Sequence, residues 1–167
     1  MVRVIIIAVF SMLAGILIGG AVVGDILGSK MVYYKQLADK HLYIIDVFKN
    51  WLMVIEKGEA IDGYFKKNGF NVIAIYGMGY LGERLLKALE KTTIEVKYLI
   101  DQQQGSVYGK VPVYSINDSL EVVDVIVVTP VYQFYSIRRQ LREKTSSNII
   151  SIQEIFRVSP GELKEVS

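Results

Sequence analysis

Between Val72 and Glu83 the sequence runs Val-Ile-Ala-Ile-Tyr-Gly-Met-Gly-Tyr-Leu-Gly-Glu: a short β-branched run leads straight into G-x-G-x-x-G, and an amphipathic segment follows. Few backbones accept three glycines in that order. Gly77 lets the chain turn tightly after a strand, Gly79 leaves room for a pyrophosphate to approach the backbone, and Gly82 lets the following helix pack against the strand. The intervening Met78, Tyr80 and Leu81 place their backbone N–H groups at a helix start, where an anion is favoured. Asp101 ends the next apolar run about 20 residues on, where a carboxylate can accept a hydrogen bond from a ribose hydroxyl.

The rest of the second half fits this unit. Val72 to Tyr76 reads as a strand covered on both faces. Tyr80 to about Glu90 reads as a helix with Leu81, Leu85 and Leu89 on one side, and Ile94 to Ile100 as a second strand. Gln102 to Gly105 is a turn, and Val111 to Tyr114 a short extended piece that Pro112 confines to an edge or an end. Asp118 to Glu121 is expected to form a brief helix. Val122 to Val128 should be a central strand ending at Thr129-Pro130, and the stretch from about Val131 to Lys144 a helix with Tyr135, Ile137 and Leu141 inward. Asn148 to Ile152 closes as a strand and Gln153 to Phe156 as a turn. Strands alternating with helical runs specify an α/β, Rossmann-like parallel sheet with flanking helices and right-handed crossovers.

Ahead of that unit the chain is mostly apolar. Val4 to Gly24 carries no charge between Arg3 and Asp25, and at 1.5 Å per residue it reaches about 30 Å, the thickness of a bilayer core. A transmembrane helix is expected. A cleaved signal peptide would have a shorter apolar core and a small-x-small exit, and no clear A-x-A occurs. Lys30, Lys35 and Lys40 follow the span and only Arg3 precedes it, which places the C-terminal part in the cytoplasm. Gly15, Gly19 and Gly24 lie within small-residue spacings that let helices approach closely. They predict a homodimer or a membrane-enzyme partner, joined by the helix that follows.

From Lys30 to about Lys57 there is neither proline nor glycine, and Tyr34, Leu37, His41, Ile44, Phe48, Trp51 and Ile55 recur at helical steps. That stripe suits a coiled coil with a second copy or packing on the chain's own domain. His41, the only histidine, reads as packed or interfacial, and Trp51 as core. A shorter helix with Ile61, Tyr64 and Phe65 should end at Asn68-Gly69. The expected divisions are a transmembrane anchor over 1–29, a helical stalk over 30–69, the α/β domain over 70–157 and a flexible tail over 158–167.

Composition narrows the function. Of 167 residues 51% are hydrophobic, high for a domain of this size, and the excess sits in the first 30 residues. With no cysteine, disulfides, thiolate metal sites and cysteine nucleophiles are excluded. Nineteen basic against 17 acidic residues give a formal charge of +2, no basic field for nucleic acid.

Residues from about Gly69 to Phe156 resemble the small domain that precedes the catalytic part of bacterial sugar O-acyltransferases and of capsule-type nucleoside-diphosphate-sugar dehydratases. The likeness rests on I-Y-G-x-G-x-x-G at Ile75 to Gly82, Ile100-Asp101, the Gly105 to Val113 segment, V-D-V-I-V-V-T-P at Val123 to Pro130, and I-I-S-I at Ile149 to Ile152. The helical lead-in with Trp51 and Tyr64-Phe65 also resembles short membrane-anchored proteins, and segments attached to glycosyltransferases, of bacterial surface-polysaccharide systems. These resemblances imply a nucleotide or nucleotide-sugar at the glycine turn, with Asp101 near the ribose and Thr129 near the ligand. The catalytic portions of those enzymes have no counterpart in these residues.

The sequence argues against a reaction of its own. None of the 11 tyrosines has a lysine at +4, the pairing a short-chain sugar epimerase or dehydratase needs. No G-K-[ST] follows a glycine loop, no G-x-S-x-G occurs, and metal-ligand spacings are missing. If a dinucleotide binds, Asp101 followed by glutamines favours NAD over NADP. The expectation is a membrane-anchored accessory or regulatory protein that binds a nucleotide or nucleotide-sugar, with NAD or a nucleotide-sugar as the ligand if one binds; the resemblance implies a place in cell-surface polysaccharide synthesis. The alternatives are an NAD-dependent enzyme or redox sensor, and a ligand-free adaptor in which the glycines serve packing alone.

Overall fold

The computed structural model describes residues 1–102 and 108–157, some side chains in the first half of the long N-terminal helix excepted. Part of the Gly105 to Val113 segment and the expected tail lie outside the described residues. Eleven elements follow in order: α1 (Val2–Glu56), α2 (Gly63–Lys67), β1 (Val72–Tyr76), α3 (Tyr80–Leu89), β2 (Glu95–Ile100), β3 (Val113–Tyr114), β4 (Val125–Val128), a 3-10 turn (Val131–Gln133), α4 (Phe134–Arg142), β5 (Asn148–Ser151) and α5 (Ile152–Ile155). The chain divides into two compact units, Met1–His41 and Leu42–Ser167.

The first unit is helical from Val2 onward. Ile7, Phe10, Met12 and Met31 are exposed, and the Ser11 hydroxyl donates back to the Ile7 carbonyl at 2.9 Å, the local bond by which a helical serine satisfies itself. Among the described residues no helix is long and apolar enough to cross a membrane. Several side chains of Val4 to Gly24 fall outside that set, so the anchor is a reading of the sequence. Tyr34 and His41 are exposed rather than packed.

The second unit is built on a five-stranded parallel sheet of order β3-β2-β1-β4-β5. The order runs outward from β1 in both directions, as in a doubly wound sheet, and the direction switches between β1 and β4. Alternation along each strand sends Ile73, Ile75, Val125 and Val127 to one face, and Ala74, Tyr76, Ile126 and Val128 to the other. The first face is covered by α3, α2, α5 and the end of α1; the second by α4 and the segment before β4. Pro112 precedes the edge strand β3, where its missing N–H costs no ladder bond.

From Leu42 onward α1 belongs to this unit. Val47 and Trp51 are buried in the first-face core, with Ile44, Phe48 and Val54 against it, a stripe of i, i+3, i+4, i+7 steps. Ile55, expected on that stripe, is 52% exposed, because the helix presents Val54 in its place. Trp51 stacks on Phe156 with ring centroids 4.4 Å apart. α2 ends as expected at Asn68-Gly69: the Phe70 N–H reaches the Phe65 carbonyl at 2.9 Å and the Gly69 N–H reaches Lys66 at 3.2 Å, the paired bonds of a Schellman turn.

Three local expectations are corrected. Residues Asp118 to Glu121 form no helix; the Ser115 N–H donates to Asp118 Oδ2 at 2.7 Å and the Asn117 N–H to Ser115 Oγ at 3.2 Å, so side chains close a turn instead. β4 begins at Val125, since Asp124 Oδ2 turns to accept the Asn71 and Val72 N–H groups, each at 2.8 Å. Those two bonds hold the Asp124 carboxyl below its ordinary range. Tyr135 points outward, 80% exposed, and Phe134 is buried in its stead. The 3-10 turn at Val131–Gln133 shifts the phase, putting Phe134, Ile137 and Leu141 on the inner face.

Tyr98 is buried on the second face and donates its hydroxyl to the Glu121 carbonyl at 2.6 Å. Burial, then the charges of Glu121 and Tyr114, push its phenol up to about 12. A folded-state value above the ordinary one stabilises fully below pH 10 and is lost as pH rises toward 12. Over that interval the wild type is expected to lose about 2–3 kcal/mol that Tyr98→Phe does not. Urea midpoints from pH 9 to 11.5 check this; parallel curves for the two proteins would contradict it.

Candidate functional site

The glycine turn lies at the carboxyl end of β1, at the point where the strand order reverses. Its shape is fixed from three sides. The Gly77 N–H continues the ladder to the Ile100 carbonyl at 2.8 Å, and the Thr129 N–H does the same to Tyr76 at 3.0 Å. The Thr129 hydroxyl donates to the Gly77 carbonyl at 2.7 Å, joining the ends of β1 and β4 across the switch point. Gly77 has φ +88°, and a Cβ there would lie 2.8 Å from Pro130 Cδ. At Gly82 a Cβ would lie 2.1 Å from the Gly77 carbonyl oxygen. These two glycines are required by the chain's own packing.

Gly79 differs. It caps α3 with φ −74° and ψ −169°, an extended conformation open to any residue. A Cβ there would meet nothing within 4 Å, and no side chain caps the helix. The first turn of a ten-residue helix therefore starts without the serine, threonine or aspartate that usually satisfies its N–H groups. Leu81 and Met78 are buried, holding the turn down, while Tyr80 is 61% exposed. The Tyr80 ring meets Phe48 edge-on at 5.4 Å and lies 5.3 Å from the Arg84 guanidinium.

Asp101 is turned toward the glycine turn. Its Oδ2 accepts the Met78 N–H at 2.6 Å, a charge-assisted bond that ties the end of β2 to the turn. The Tyr108 hydroxyl donates to the Met78 carbonyl at 3.4 Å. Burial and then the Asp101 charge push the Tyr76 phenol up, and Tyr108 is raised by desolvation, then by Glu83 and Asp101. The rim is thus acidic on two sides. It suits hydroxyl donors such as a ribose, and leaves an anion to the backbone N–H groups of the helix start.

A cleft of about 660 Å³ opens at the carboxyl ends of β4 and β5. Ser151, the last residue of β5, and Val131, two residues beyond Thr129, form its base. Tyr43, Asp46 and Asn50 of α1 form one wall; Tyr132, Tyr135 and Gln153 stand around it. Among the described residues no group of three or more histidine or acidic side chains is placed to hold a metal ion.

No protein-family model, curated protein or solved structure matches this chain. Of the sequence-predicted residues, Gly77, Met78, Gly79, Tyr80, Leu81 and Gly82 form one turn, with Asp101 bonded to it. Thr129 is 5% exposed and spends its hydroxyl on the Gly77 carbonyl, so it shapes the turn from behind. Sequence reasoning missed Pro130, whose ring backs Gly77, and the α1 side chains of the cleft. The first was legible in the Thr129-Pro130 strand end; the second had no signal, because the polar face of an amphipathic helix looks the same over a cleft as over solvent.

Proposed function

We propose that this chain is a membrane-anchored, Rossmann-like accessory protein that binds a nucleotide-sugar or NAD and serves cell-surface polysaccharide synthesis. The observation that carries the binding reading is Gly79. Its neighbours Gly77 and Gly82 answer to the packing of the chain; Gly79 answers to nothing within 4 Å, and it leaves the start of α3 uncapped. A pyrophosphate over Gly79 would supply the missing acceptor, and the reversal of strand order between β1 and β4 is where open α/β sheets bind ligands. Asp101, bonded to the Met78 N–H, stands at the end of β2 beside the turn, the position from which a carboxylate can meet a ribose. The pathway rests on the resemblance of sequence motifs.

The test is a thermal-shift series on the detergent-solubilised full chain with UDP-glucose, NAD, NADH and CoA. A ligand present at about 100 times its Kd stabilises by about 2.7 kcal/mol, a shift of several degrees. Stabilisation by UDP-glucose or NAD is expected. Absence of any shift in a folded sample would sink the reading.

The anchor has its own test. Val4 to Gly24 is long enough to span a bilayer core, and Gly15, Gly19 and Gly24 leave open positions along the helix for a second copy or a membrane enzyme. The full chain should remain in carbonate-washed membranes, and a chain lacking residues 1–29 should not. Release of the full chain by carbonate would refute the anchor.

A ligand-free adaptor is the second reading, favoured by one observation: Asp101 and Thr129 both turn their polar atoms onto the glycine turn itself. The same thermal-shift series decides between the two.

A further inference from the structure

We propose that the end of α1 pairs in parallel with α1 of a second copy of this chain, through an apolar stripe that its own domain leaves uncovered. The pairing concerns the second unit and does not depend on a ligand. Only its parallel sense rests on the membrane anchor, since two chains entering one bilayer from the same side run the same way.

The helix carries two apolar faces. Ile44, Val47, Trp51 and Val54 face the core of the chain's own domain. About 100° around the helix, at 3.6 residues per turn, lie Ile45, Phe48, Leu52 and Ile55. Ile45 is 61% exposed, Leu52 55% and Ile55 52%, with Phe48 half-buried between the two faces. A helix on the surface of one domain needs only the first stripe. Scattered exposed aliphatic residues are ordinary, but a contiguous row of them marks a contact surface. What these side chains contribute goes to the pair and not to the unit's own core.

Spacing and charge name the occupant. The steps from Ile45 to Ile55 are three, four and three residues, the a and d positions of a heptad, and the sequence continues them backward through His41, Ala38, Tyr34 and Met31. Such a seam suits a second helix with the same repeat, which another copy supplies. Beside the stripe a groove of about 390 Å³ lies between α1 and α3, lined by Ile61 and Ala88 together with Arg84 and Lys87. Both cations are exposed. In a parallel pair the e residue of one helix approaches the g side of the other. Trp51 holds the g position and lines the groove, and the e residue five further on is Glu56, which is exposed. Glu56 of the second copy therefore comes to the flank that carries Arg84 and Lys87, and two-fold symmetry makes the same contact twice. The other e residue, Lys49, meets Ile44 at g rather than a like charge.

The chain has no cysteine, so single cysteines report the pairing in the full-length chain in detergent. Under mild oxidation Ile45→Cys and Leu52→Cys should each form disulfide-linked dimers at least about tenfold faster than Asp46→Cys, an exposed position on another face of the helix. In the Leu52→Cys chain, Glu56→Arg should slow the linking about tenfold, and adding Arg84→Glu with Lys87→Glu should restore it. Every substituted side chain is exposed, so the fold is kept, and unchanged urea midpoints check that. Cysteines at 45 and 52 that link no faster than the one at 46 overturn the proposal. Linking only between the two different variants in a mixture, the mark of an antiparallel pair, overturns it as well, and so does a rate indifferent to Glu56→Arg. The carbonate wash reads the anchor separately.

Discussion

Gly82→Ala is expected to destabilise the second unit by about 3 kcal/mol, the upper end of what an added methyl group costs in a packed site. The new Cβ would stand 2.1 Å from the Gly77 carbonyl oxygen and 3.1 Å from its carbonyl carbon. Neither is the end of a flexible side chain. The carbonyl is held in place, because the Thr129 hydroxyl bonds it at 2.7 Å and the Gly77 N–H is tied to the Ile100 carbonyl at 2.8 Å. Relief therefore requires α3 to move off β1, which uncovers Leu81, Leu85 and Leu89. Urea unfolding of the full chain followed by the fluorescence of Trp51, the only tryptophan, measures the loss. Gly79→Ala in the same assay should change stability by less than about 1 kcal/mol, since there the backbone is permissive and the space open. Equal effects at the two positions would contradict the assignment of one glycine to packing and the other to ligand approach.

Trp51→Ala is expected to cost about 3–5 kcal/mol, the range for deleting a buried aromatic side chain. The indole is 7% exposed and stacks on Phe156 at 4.4 Å with an interplanar angle of 13°. It sits in the same core cluster as Phe65, Leu85 and Ile152, so its removal leaves a cavity shared by α1, α2, α3 and α5. Leu52→Ala, one residue on but 55% exposed, should cost less than about 0.5 kcal/mol. Circular dichroism during urea unfolding gives both values without relying on the deleted fluorophore. A small loss at Trp51 would mean that the end of α1 is a detachable stalk rather than a layer of the domain.

The parallel sheet was legible because its strands carry their own signature. Val72 to Tyr76 and Val125 to Val128 are β-branched, nearly continuous apolar runs, which only strands covered on both faces require. The glycine turn was legible for the same local reason: positive φ at Gly77 and close approach at Gly82 leave no other residue a place. What depends on tertiary contact was not. The seam of α1 was read through Ile55 and without Val47, because 3.6-residue periodicity leaves the edge of a stripe ambiguous until a partner surface exists. Tyr135 was assigned inward by a helix begun at Val131; the 3-10 turn that delays α4 has no clear mark in the sequence. Thr129 and Asp101 were placed at the right strand ends, but whether a hydroxyl faces a ligand or its own backbone is decided by which acceptor lies nearer. For Thr129 that is the Gly77 carbonyl.

The central claim is that Gly79 is glycine for a ligand's sake. Gly79→Asp tests it most directly, because aspartate is a favoured residue at a helix start and its carboxylate would take the donors a pyrophosphate needs. The measurement is calorimetric titration of UDP-glucose and of NAD into the wild-type and variant full-length chains, alongside their urea midpoints. The account predicts that the wild type binds one of the two ligands. The variant should match the wild-type stability to within a few tenths of a kcal/mol and bind that ligand about a hundredfold more weakly, as a like charge at the contact demands. An equally stable variant that binds as the wild type does, or a wild type that binds neither ligand, would contradict it.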